Sequence, residues 1–262
     1  MTANPDTPAP SAVPQPLSPV AVLGFALACL AALALMAAGL GHRWEWWGVS
    51  DGFTILRWAA YVGLGGIGVS VIGCVLARPS GPRRGLSWAL LGITVGLVSA
   101  GIPWSQQRMV RSLPLIHDIT TDTANPPLFA ALLLLREGAP NPATYGGPAV
   151  AAQQKEAYPD LAPEILDALP DAVFKHVLAA ARTLGWNIVS AVPGEGRLEA
   201  TDTTFWFGFK DDVVVRVVAE GTGSRVDVRS VSRVGRSDVG ANAKRIRAFL
   251  KELRAQVAAA GR

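Results

Sequence analysis

The chain has 262 residues, half of them hydrophobic and 17% charged, with a formal net charge of +4. A charged fraction below the usual ~25% excludes an ordinary soluble protein throughout, and the shortage is local to residues 20–104. Only two cysteines occur, Cys29 and Cys74, both in apolar stretches; the histidines His42, His117 and His176 are scattered, so a disulfide framework is excluded from the C-terminal half and neither a metal nor a cofactor is expected.

Residues 1–19 are rich in Pro, Ala and Ser and read as a disordered tail. Three apolar runs follow, Val20–Gly41, Phe53–Ala77 and Leu86–Trp104. Each is long enough to cross a hydrocarbon core of about 30 Å as a helix. The second carries one charge, Arg57, near its start, and the others carry none. The first run lacks the basic leader of a cleaved signal peptide and is too long for one. The predicted region is a three-helix transmembrane bundle over residues 20–104. Its 78–85 loop holds Arg78, Arg83 and Arg84 and no acid, whereas the 42–52 loop is close to neutral. The arginine-rich loop therefore faces the cytoplasm, and everything after Trp104 lies on the non-cytoplasmic side. Trp44, Trp46 and Trp47, with Trp58 and Tyr61, suit an interfacial aromatic belt.

Residues 105–262 are expected to form one soluble α+β domain. Prolines at 140, 142, 148, 159 and 163 exclude a long helix between 105 and 169, and this stretch reads as a belt laid across the domain. Pro170 opens a helix whose apolar residues recur at helical spacing as far as Gly185. Four strands are predicted, Asn187–Val192, Arg197–Phe207, Val213–Glu220 and Arg225–Val231, with turns rich in glycine between them. A long helix over about Asp238–Ala259 closes the chain, striped by Val239, Ala243, Ile246, Leu250, Leu253 and Val257. That order predicts an antiparallel four-stranded sheet with two main helices on one face.

Two clusters could carry chemistry. The run Arg229–Asn242 passes from the last strand into the last helix. Arg229, Arg233 and Arg236 flank a helix start capped by Ser237 or Asp238, the grouping that holds a phosphate or carboxylate. The alternative is a structural ion-pair network. Residues 225–262 hold ten Lys/Arg against three Asp/Glu, which suits either a solvated helix face or anionic lipid headgroups. Nucleic acid is not expected, because the arginines lack interleaved aromatics. The second cluster is His117, Asp118 and Asp122, which could do acid–base work or simply form turns before Pro126 and Pro127. Phe205–Phe209 reads as core and hairpin packing.

Ile116–Pro127, Tyr158–Leu161, Phe205–Arg216 and Asp227–Arg247 resemble the family catalogued as domain of unknown function 1499, over roughly residues 113–256. For a chain with these spans the resemblance implies a bacterial envelope setting, with relatives in plastids. It supplies no catalytic residues. The helix–sheet–helix order is also similar to helix-grip domains of outer-membrane assembly lipoproteins. The expected protein is a multi-pass bacterial inner-membrane protein, whose partners are the lipid bilayer, an anionic lipid or small anion, or another envelope protein. A binding or envelope-assembly module is favoured, the alternative being a hydrolase-like envelope enzyme using His117, Asp118 and Asp122.

Overall fold

The computed structural model describes residues 15–260, which divide into two compact units meeting at Ser105 and Gln106. The first unit holds α1 (Pro19–Arg43), α2 (Val49–Leu76) and most of α3 (Leu86–Ser112). All three are long and apolar enough to cross a membrane. Of the expected tail, residues 1–14 lie outside the described residues. Leu17 bridges to Arg84, and Ser18 caps α1, its hydroxyl accepting from the Ala21 N–H. α3 runs through Pro103 and past Trp104 to Ser112, just before the next proline, Pro114.

This unit is packed inside out. Its buried faces are built from small residues such as Ala21, Ala28, Ala59, Ala89 and Gly66, while Leu23, Leu30, Leu33, Leu64 and Leu97 point outward. Close backbone approach rather than side-chain bulk sets this packing, the pattern of helices that associate within a bilayer. A Cβ on Gly73 would stand 2.7 Å from the Ala21 Cα. On Gly24 of α1 or Gly92 of α3 it would meet the Ser70 hydroxyl of α2 at 2.3 or 2.2 Å. Trp47 folds back over Gly41 and donates its indole N–H to the Ala38 carbonyl at 3.1 Å.

The second unit is an antiparallel sheet with helices. In chain order its elements are β1 (Asp118–Thr120), α4 (Leu132–Leu135), α5 (Gly147–Ala157), β2 (Glu164–Leu166), α6 (Pro170–Thr183), β3 (Asn187–Val192), β4 (Arg197–Thr203), β5 (Lys210–Glu220), β6 (Gly223–Ser232) and α7 (Ala241–Ala260). The sheet has six strands, not the four expected. Four form a meander, and the order across the sheet is β1-β6-β5-β4-β3. The two additional strands share the outer edge of β6: β1 pairs with Arg229–Val231 and β2 with Ser224–Val226. At three residues each they are too short to show an alternating pattern, so only their docking reveals them. An eleven-residue helix, α5, lies in the proline-rich stretch, with Pro148 in its first turn where a missing N–H costs nothing. Its Gln154, 1% exposed, covers the free edge of β1 by pairing with both the N–H and C=O of Thr120.

The strands alternate, so the sheet has two unlike faces. One packs Leu198, Val213, Val215, Val226 and Val228 against α6 and α7, where Trp186 stacks on Phe249 with ring centroids 5.0 Å apart. The other carries Arg225, Asp227 and Arg229 of β6, Asp212 and Arg216 of β5, and Glu199 and Thr201 of β4. Over it lies the segment from Asp122 to Tyr145, anchored by a small apolar cluster of Phe129, Leu132, Val214 and Val231.

Candidate functional site

The polar face is a lattice of guanidinium–carboxylate pairs. Arg229, fully buried, grips Asp118 in two parallel bonds of 2.9 and 2.7 Å and donates to the carbonyls of Pro127 and Ala143. Its guanidinium lies against the rings of Phe129 and Tyr145. Asp212 accepts from two arginines: Arg136 at 2.6 Å, and Arg233 at 2.8 Å to each oxygen. Thr201 donates its hydroxyl to Asp212 as well, at 2.7 Å. Arg216 and Arg225 both reach Asp122 and Asp227. Glu199, fully buried, accepts from the backbone N–H groups of Ala130, Ala131 and Leu132 and from Arg197.

The structure thus brings Arg229 of the anion cluster onto Asp118 of the acid–base cluster. Each neutralises the other. Arg233 is held by Asp212, and it donates to the Leu135 carbonyl. Ser237 donates to the Pro114 carbonyl and accepts from the Val239 N–H. Arg236 is the exposed arginine of that run. The start of α7 is served by Asp238, whose carboxylate accepts from Gly240 and Asn242 at 2.9 and 2.8 Å. Burial pushes the Asp238 carboxyl up, with those N–H bonds opposing. The intervening Val239 adopts φ 53°, a left-handed conformation that strains a β-branched residue.

Asp122 turns its chain sharply, accepting from Ala124 and Asn125. Burial acts to raise its pKa, but those N–H groups and then Arg225 and Arg216 hold it below the usual carboxylate value. His117, partly buried, offers its carbonyl to Ser232 and Asn242. Tyr145 lies over Arg229 with its hydroxyl buried and without a hydrogen-bond partner; burial and then the Asp118 charge push it up to about 12. Among the described residues, no group of three or more His, Cys, Asp or Glu is placed to hold a metal ion.

The sequence reading did not single out Arg136, Glu199, Asp212, Arg216 or Asp227. The available signal was alternation itself: Arg225, Asp227 and Arg229 mark one face of β6 as charged, so a buried face of that kind demands opposite charges from its neighbours. A separate network sits at the end of the apolar face. There Arg245 of α7 binds Asp211 at 2.6 Å and Asp202 at 2.7 Å, beside Asn242 and Ser230. The basic α7 also gives Arg247 to Asp160 and Arg254 to Glu164, both near the surface.

No curated protein matches the chain. A family match covers residues 118–253, from the first residue of β1 into α7, and so spans the sheet unit while leaving the three apolar helices outside. The buried pairs all fall within it, and the chain belongs to the family described as "Protein of unknown function (DUF1499)".

Proposed function

We propose that the chain is a multi-pass membrane protein whose α+β unit, held on the non-cytoplasmic side of a bacterial inner membrane, is a binding or envelope-assembly module rather than an enzyme. The observation that carries this reading is the commitment of the candidate acids. Asp118 is locked to a fully buried arginine and Asp122 to two more. A hydrolytic role for His117, Asp118 and Asp122 would have to break those pairs before any proton moved, and removing one partner of a buried pair costs ~3–5 kcal/mol. The same commitment argues that an anionic ligand meets the outer surface, where Arg236 and Lys210 are exposed, rather than Arg229 or Arg233. Membrane insertion is supported by the three apolar helices and their small-residue contacts, and sidedness by Arg78, Arg83 and Arg84.

Reporter fusions test the topology. A phosphatase fused after Trp104 is expected to be active and one fused after Ala77 inactive; the reverse pattern would put the domain inside. For the non-enzymatic reading, His117→Ala and Asp122→Asn strains are compared with a deletion strain. Full complementation by both is expected, and a null phenotype from a stably folded H117A protein would restore the enzyme.

A further inference from the structure

The chain leaves α3 at Ser112 and enters the sheet six residues later at Asp118, a span of at most about 22 Å. It enters at a defined end, because Asp118 pairs with Val231 near the close of β6. Three other segments gather there. The β4–β5 loop begins beyond the last pair, Thr203 with Lys210. Arg233 joins that loop to α4, its N–H donating to the Lys210 carbonyl at 3.0 Å and its guanidinium to the Leu135 carbonyl at 2.8 Å. The 236–240 turn is tied to the incoming connector through Ser237 to Pro114 and Asp238 to Ile116.

From these segments large apolar side chains stand in the open: Phe205 is 85% exposed, Leu134 75%, and Leu115 and Leu135 just over half. The run Leu132–Leu135 is informative in itself, because Leu132 alone is buried and the packing of α4 does not require the other three leucines. Lys210 and Arg236 are exposed at the same end, while the acids beside them, Asp211 and Asp212, are buried and held by arginines. Apolar tips beside the exposed Lys210 and Arg236, with Glu137 the exposed acid after α4, match the chemistry of an anionic bilayer surface, whose acyl boundary takes the tips and whose phosphates take the cations. The short connector from Ser112 to Asp118 ties this end of the sheet, rather than the β5–β6 turn, to α3.

We propose that this end of the sheet docks on the anionic bilayer surface, Phe205 and Leu134 entering the headgroup–acyl boundary and Lys210 and Arg236 binding lipid phosphates. The proposal rests on the reading that α3 is membrane-anchored. Cys29 and Cys74 are the protein's only cysteines, so a C29S/C74S full-length chain accepts single reporters. Spin labels at F205C, L134C and, in the β5–β6 turn at the opposite end, T222C are compared after reconstitution into vesicles of equimolar phosphatidylcholine and phosphatidylglycerol. Labels at 205 and 134 are expected to collide with oxygen and be shielded from an aqueous nickel complex, while 222 stays open to nickel. Replacing Lys210 or Arg236 by Gln is expected to weaken docking about fivefold each, as is the loss of one cation near an anionic surface. Equal nickel access at 205, 134 and 222 in a chain that resists carbonate extraction would overturn the docking alone. Release by carbonate would overturn the anchor itself. Shielding at 205 that persists in detergent, with dipolar broadening between labels, would assign the surface to a second copy of the chain instead.

Discussion

Asp212 holds two guanidiniums on one carboxylate, and Asp118 and Arg229 close on each other with almost no water in reach. Such pairs contribute little net stability, but breaking one is expensive because a bare charge stays behind. Arg229→Ala is therefore expected to destabilise the full-length chain by ~3–5 kcal/mol, and the double change R229M/D118N to recover most of that. Thermal unfolding of the detergent-purified protein checks both. Tyr145 beside this pair makes a pH prediction. Its phenol is raised from 10.0 to about 12, so stability is full below 10 and falls as pH climbs towards 12, because the unfolded chain ionises first. Tyr145→Phe is expected to abolish that alkaline loss. The lowered Asp122 acts on the other flank, its contribution being present above the ordinary carboxylate value and lost as pH falls through the folded one.

At the scale of elements, the two units are held together by opposite rules. In the helical unit glycine sets the distance between helices. Gly92→Val would drive a side chain into Ser70 and the Phe25 backbone, whereas Gly65 has nothing within 4 Å of its Cβ position. Size-exclusion profiles after mild heating should show G92V aggregating and G65V unchanged. In the sheet unit volume decides. Leu132→Ala in α4 removes a fully buried side chain and is expected to cost ~2–5 kcal/mol, whereas Leu134→Ser, on the same short helix, should leave the unfolding temperature nearly unchanged. The alternating pattern of β6 and the helical stripe of α7 were legible in the chain itself. α7 begins at Ala241 rather than Asp238, because Asp238 caps it across the left-handed pair Val239 and Gly240.

For the whole molecule, the sequence divides at the end of the apolar runs and the structure divides at Ser105. Charge is unevenly distributed across that boundary, and the proposed topology rests on Arg78, Arg83 and Arg84. Converting Arg78, Arg83 and Arg84 together to Glu is expected to raise the fraction of inverted chains, read by the same pair of reporter fusions. The site was only partly legible. Arg229, Arg233 and the Asp118–Asp122 cluster stood out as charged residues in unusual company, but Asp118 and Asp122 find their arginines 94 to 111 residues away in Arg216, Arg225 and Arg229, and Arg233 finds Asp212 on the neighbouring strand. Sequence spacing carries no information about a pairing made across a sheet.

The chain alone determined the properties that depend on local pattern: three apolar helices, a run of β-hairpins between two amphipathic helices, and membership of a family spanning residues 118–253. Periodicity and hydrophobicity are carried by neighbours in sequence, so they survive without coordinates. Tertiary structure alone decided that two three-residue strands complete the edge of β6 and that the belt from Asp122 to Tyr145 roofs a charged face. It also decided that Arg229 and Arg233 are committed to buried carboxylates while Arg236 stays exposed. Whether a guanidinium is free to bind a ligand depends on which carboxylate the fold brings within about 3 Å of it, and that distance is set by the sheet.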